Sequence, residues 1–294
     1  MVKLNNLFDF NKKSAMVAMA IVGICWGFAS LFIKLTPWSS FQIVAVRSSM
    51  AAICLSLYIL LVEKKKLVFN KTVLFVGFFV CFKYIFYVSA NKLTTAANVV
   101  ALHQTNIIYI LIATCIMNKT KPRGKDILII IATMVGISLF FFGKFTFSGM
   151  IGNLLAAGAG LCTAVLFFMS SKFSSFEENL TSIISGNILA AIISFIMSAG
   201  SSFEITPVAI GSILFLGLIQ QSFAFITYTK AVRIISPFAC AILVSIEPVL
   251  SPIVCFLFLG EAPGKFAVLG TIVVIGSILI WSLSDVKNTK KDNL

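Results

Sequence analysis

Four ionisable side chains stand inside long apolar runs of this 294-residue chain: Arg47, Lys83, His103 and Glu247. Lys83 opens Lys83-Tyr84-Ile85-Phe86-Tyr87, so Tyr84 is its neighbour and Tyr87 shares its helix face at i+4. A desolvated ammonium there could hold a substrate carboxylate or exchange a proton. It could equally pair permanently with Glu247 or snorkel to an interface. His103, the single histidine, begins the polar run His103-Gln104-Thr105-Asn106. A lone imidazole builds no metal site, but it can relay protons near neutral pH or act as a neutral hydrogen-bonding group. The run as a whole, with Gln104 and Asn106, argues for a wet cavity. Glu247 precedes Pro248 and, four residues on, Pro252. Prolines free backbone carbonyls, and carbonyls beside a carboxylate suit a cation or ammonium; alternatively Glu247 stabilises the kink. Arg47 could contact carbonyls or a ligand, or snorkel outward. Gln220 is a further polar contact, with Gln221, Tyr228 and Thr229 secondary.

The same inventory narrows the chemistry. One histidine and one carboxylate inside apolar runs give no acid–base or metal pair. No Gly-x-Ser-x-Gly turn is present, and the seven cysteines form no Cys-x-x-Cys motif. An enzyme is disfavoured, and no catalytic residue, metal or cofactor is expected. A Gly-rich ATP-binding loop is also missing, so any work done must draw on a gradient.

The elements that must position these residues are membrane-spanning helices. Hydrophobic residues make up 59% and charged residues 11% of the chain, with a mean hydropathy of +1.05. A water-soluble domain cannot hide that much apolar surface. Lipid offers no hydrogen bonds, which leaves helices or closed barrels. The apolar runs are of helix-spanning length and lack barrel alternation. Ten spans are predicted: 14–34, 39–62, 72–90, 94–117, 126–143, 149–171, 179–199, 206–229, 236–259 and 265–283. The first is too long for a signal h-region and lacks a small-x-small cleavage site. At about 1.5 Å per residue, Lys83, His103 and Glu247 lie roughly 14–16 Å deep in their spans, near the middle of a core about 30 Å thick.

The chain also reads as two copies. Thr94-Thr95-Ala96-Ala97 … Gly124-Lys125 … Gly136 is matched by Ser236-Pro237-Phe238-Ala239 … Gly264-Lys265 … Gly276. The repeats are taken as 14–143 and 149–283, five spans each. With the N-terminus inside, only Lys34, Lys92, Lys144 and Lys265 fall on the far side, and most of the 23 Lys and Arg are cytoplasmic. Both termini are then cytoplasmic, the locale is the plasma membrane, and an odd number of crossings per repeat makes the repeats inverted. Inverted repeats can expose a midplane site alternately to each side. The net charge of +13 faces anionic headgroups of the bilayer and requires no nucleic acid. The small-residue patterns Gly23-x-x-x-Gly27 and Gly152-x-x-x-Ala156-x-x-x-Gly160 read as close-packing surfaces. The 29 phenylalanines read as lipid-facing and packing surface.

Three stretches resemble EamA-type members of the drug/metabolite transporter superfamily. They are Trp26-Gly27 with Lys34, Arg47-Ser48-Ser49-Met50-Ala51-Ala52, and Glu247-Pro248-Val249 … Phe256-Leu257-Phe258-Leu259-Gly260-Glu261. The resemblance covers essentially the whole chain as two repeats. It implies ten helices around a central cavity, alternating access, and export of metabolites, amino acids or toxic compounds. Lys34, Arg47, Glu247 and Glu261 fall where such proteins often carry these types, so the shared fold is an alternative role for them. In the first repeat the matching position reads Met117-Asn118-Lys119-Thr120-Lys121, without the terminal acid.

The expected function is a secondary transporter exporting small amphiphilic metabolites such as amino acids, as a monomer or homodimer. Lys83 would take the carboxylate and Glu247 the ammonium, with Tyr84 and Tyr87 as walls. His103, Gln104, Asn106 and Gln220 complete the set, and Glu247 and His103 are candidates for proton coupling. A multidrug or organic-cation exporter and a lipid-linked substrate flippase are the alternatives.

Overall fold

The computed structural model describes residues 11–117, 119, 124–139, 147–170, 172–235, 243–244, 246–266, 268–273, 275–277 and 280. Among them every regular element is a helix, as lipid demands of backbone polar groups. Six are long and apolar enough to cross a membrane: Lys12–Leu35, Ser40–Val62, Lys71–Leu93, Gly149–Ser170, Phe176–Met197 and Pro207–Ala231. Their outer faces expose large apolar side chains such as Leu61, Leu74, Phe75, Leu154 and Ile196, the surface that lipid would cover.

Local chemistry sets the ends. α1 (Lys12–Gly27) starts at Asn11, whose side chain accepts from Ser14 N–H in a capping box; α2 (Ala29–Leu35) continues it beyond Phe28. α3 (Ser40–Leu57) starts at a Ser39/Gln42 capping box and runs into a π-helical turn, Tyr58–Val62. Asn70 caps α4 (Lys71–Leu93). α9 (Phe176–Met197) starts at Ser175 with Glu177 and Glu178 in its first turn, where carboxylates complement the helix dipole. Thr206 caps α10 (Pro207–Leu214), with Pro207 at the first position.

The expected span 94–117 differs. It is two helices, α5 (Ala96–His103) and α6 (Asn106–Met117), separated by a turn at Gln104-Thr105. The polar run competes with the backbone for its own carbonyls: Thr105 Oγ1 donates to Leu102 O at 2.7 Å and Asn106 Nδ2 to His103 O at 3.0 Å. The expected span 126–143 corresponds to α7 (Gly124–Leu139), with 140–143 outside the described residues. α8 (Phe147–Ser170) follows. α10 passes into a nine-residue π-helical stretch, Phe215–Phe223, and then α11 (Ala224–Ala231). In the expected ninth span, α12 is Glu247–Leu259; residues 236–242, including the Ser236 repeat start, and 245 lie outside the described residues. Val268–Ser277 lies in the tenth, and 281–283 are likewise outside.

α4 is the central post. It packs against α8 and α9 of the second half and against α3 of its own. Its buried face presents Lys83, Tyr84 and Tyr87.

Candidate functional site

Lys83 is 8% exposed and its ammonium lies among aromatic rings. Nζ is 4.6 Å from the Phe225 centroid, 5.2 Å from Tyr84 and 5.8 Å from Trp26. Trp26 packs on Phe225 and Tyr228 at 5.4 and 6.1 Å, and Phe167 stacks on Tyr228 at 5.0 Å. Among the described residues no carboxylate oxygen lies within 4.0 Å of Lys83 Nζ, so a fixed ion pair with Glu247 is not what holds it. A cation over a ring gains about 0.5–2 kcal/mol, whereas desolvating an ion costs several. The rings offset only part of that cost.

Glu247, the first residue of α12, is 4% exposed. It accepts a 3.3 Å hydrogen bond from the Tyr87 hydroxyl. Tyr87 meets His103 edge-on at 5.1 Å, which brings α4, α5 and α12 together. His103 Nε2 lies 2.8 Å from Thr163 Oγ1, whose own hydroxyl donates to Ala159 O at 2.9 Å. That network assigns the imidazole proton to Nε2 and leaves Nδ1 without a partner among the described residues. Carrying the Thr94/Ser236 register forward sets Thr105 against Glu247, so the turn between α5 and α6 corresponds to the start of α12. Gln104 and Asn106 are buried beside His103. The Asn106 amide closes the turn.

Close approach of glycine backbones supports both places. A Cβ on Gly160 of α8 would lie 2.8 Å from His103 O and 2.9 Å from Thr105 Oγ1; one on Gly23 of α1 would lie 2.9 Å from Leu243 O. The first helix of each half thus abuts the fourth span of the other.

The π-helical stretch carries Gln220 and Gln221. A π turn leaves carbonyls for other donors, and Trp26 Nε1 donates to Gln220 O at 3.1 Å. Gln221 Nε2 donates to Asn187 Oδ1 at 2.8 Å, while Oε1 of both glutamines has no partner among the described residues.

Arg47 does not snorkel. It is 1% exposed, its Cζ lies 5.3 Å from the Tyr84 centroid, and among the described residues its Nε and Nη1 have no hydrogen-bond partner. Phe225 and Phe167 belong to the cluster rather than to the lipid face, yet nothing marks them among 29 phenylalanines. Thr163, a lone hydroxyl in an apolar stretch, is the signal that could have found the partner of His103.

Residues 13–142 and 150–283 each match the EamA-like transporter family. The chain belongs to that family. An uncharacterized transporter of Clostridium kluyveri is 25% identical over 218 residues, which is 70% of this chain and 69% of the relative. An uncharacterized transporter of Archaeoglobus fulgidus is 25% identical over 206 residues, 67% of this chain and 70% of the relative. A protein of known crystal structure shares the fold, with a TM-score of 0.66 at 17% identity over 91% of this chain and 96% of that one.

In this EamA-like transporter, ion pairs join the halves at both ends. Lys34 Nζ lies 2.7 Å from Glu261 Oε2 and donates to Thr94 O at 2.9 Å, while Ala96 N–H donates to Glu261 Oε1 at 2.6 Å. The Glu261 carboxylate therefore caps α5, the favourable place for an anion on a helix. At the other end Lys230 Nζ lies 2.7 Å from Glu63 Oε1, which also accepts from the Tyr58 hydroxyl at 2.6 Å.

Proposed function

We infer that this multi-pass EamA-like protein is a secondary active transporter exporting small amphiphilic metabolites such as amino acids, with both termini cytoplasmic in the plasma membrane. The carrying observation is Lys83, a buried ammonium ringed by Trp26, Tyr84 and Phe225 and without an ion-pair partner among the described residues. Charges inside a span are costly, about 3 kcal/mol each on insertion scales, and are retained where a ligand or ion uses them. Lys83 receives the carboxylate, Tyr84 and Tyr87 form walls, and Glu247 and Gln220 offer acceptors. His103, Gln104 and Asn106 shape the turn opposite, and His103 Nδ1 with Glu247 are the places for a coupling proton. Alternating access would follow from two inverted halves packed with the first helix of each against the fourth span of the other. An organic cation centred on Glu247 would be repelled by Lys83 and Arg47, which favours the anionic or zwitterionic reading.

The test is a thermal-shift screen of purified protein against amino acids, organic anions, nucleobases, sugars and organic cations. A ligand at about 100 times its Kd adds roughly 2.7 kcal/mol to the folded state. The expected result is stabilisation by a carboxylate-bearing amphiphile that disappears in Lys83→Met. Stabilisation by lipophilic cations alone would overturn the assignment.

A further inference from the structure

The buried cluster carries two cations and one carboxylate. Arg47 and Lys83 stand 5.3 and 5.2 Å from the centroid of the same Tyr84 ring. Among the described residues neither lies within 4.0 Å of a carboxylate oxygen, and Arg47 Nε and Nη1 have no hydrogen-bond partner. Glu247 is engaged by Tyr87. The guanidinium remains protonated under any ordinary condition. A proton passed from Lys83 to Glu247 turns a charged couple into a neutral one and leaves the sum unchanged. While that proton stays within the couple, the cluster keeps one excess positive charge in either arrangement. His103 adds none while Nδ1 lacks an acceptor, and the unpartnered carbonyl oxygens of Gln220 and Gln221 add acceptors but no charge.

We propose that a substrate of net charge −1 completes the site, its carboxylate lying between Arg47 and Lys83. This rests on the transporter reading and narrows its substrate class. A neutral amino acid brings its own ammonium and leaves one buried cation uncompensated. An amphiphile with a single carboxylate, or an amino acid with a second acidic group, cancels it. Arg47 is thereby a specificity-determining residue that selects the substrate by charge.

Binding is measured by thermal shift in a non-ionic detergent on two scaffolds whose members share one apolar group and differ in which charged groups they carry. These are 3-phenylpropanoate, phenylalanine and 2-phenylethylamine, and 4-methylpentanoate, leucine and 3-methylbutylamine. The anion of at least one scaffold is expected to bind about tenfold tighter than its zwitterion, and Arg47→Met to abolish that preference. A second measurement needs no ligand. An uncompensated buried cation destabilises the empty protein, so Arg47→Met is expected to melt at or above the wild-type temperature. Equal or tighter zwitterion binding, silence on both scaffolds, or an Arg47→Met protein melting well below wild type would each overturn the proposal. Anion binding without counterflow in proteoliposomes would remove the transport reading and keep the charge assignment. Counterflow of leucine or phenylalanine without anion preference would do the reverse.

Discussion

Lys83 precedes Tyr84 by one position and Tyr87 by four, and this spacing sets the roles of all three. Tyr84 gives one ring to two cations, while Tyr87, one turn further along, reaches Glu247 and the edge of His103. A chain that buried these charges for stability alone would pair them directly, because a lone buried charge costs more than any single ring returns. Glu63 shows the contrasting, satisfied case. Burial alone would raise its carboxyl, yet the Lys230 ammonium and the Tyr58 hydroxyl hold it below the ordinary carboxylate range. A lowered folded-state value means a stabilising contribution that is present above the unfolded value and lost as pH falls through the folded one. The wild type should therefore melt above Glu63→Gln at neutral pH, with the gap closing on acidification. A gap that does not change with pH would show that Glu63 acts by packing.

At the scale of elements, the site depends on helices that stop. The turn between α5 and α6 holds His103 against Thr163 because Gly160 lets α8 approach the freed carbonyls. Gly160→Ala is predicted to cost about 1–3 kcal/mol of stability through overpacking. Gly211, with open space where its Cβ would go, should tolerate alanine or gain up to about 1 kcal/mol in helix propensity. Equal melting of the two variants would contradict the close-approach account. The sequence announces such breaks unevenly. The four polar residues at the α5–α6 turn read as a wet stretch of one continuous span, and the break comes from Thr105 and Asn106 bonding their own backbone. The π-helical stretch around Gln220 leaves no such mark, since two glutamines read alike in either helix. Lys83, His103 and Glu247 were legible because a charge in an apolar run is itself a signal. Depth along a helix says nothing about which way a side chain faces, which is why the sequence leaves Arg47 open between a carbonyl or ligand contact and an outward snorkel until its neighbours are known. Phe225 and Phe167 reach the cluster through tertiary packing alone.

For the whole molecule, two EamA-like halves meet with the first helix of each against the fourth span of the other. The Lys34–Glu261 pair clasps one end and the Lys230–Glu63 pair the other, so the charged cluster lies between two sets of inter-half contacts. Rocking about that cluster would open one clasp at a time, which is the geometry that alternating access requires. The most direct test is solute counterflow into proteoliposomes, comparing wild type with Lys83→Met for the best ligand of the thermal-shift screen. The account predicts robust exchange by the wild type and its loss in Lys83→Met, with the variant still monodisperse and melting within a few degrees of wild type. Undiminished exchange by a folded Lys83→Met protein would contradict it.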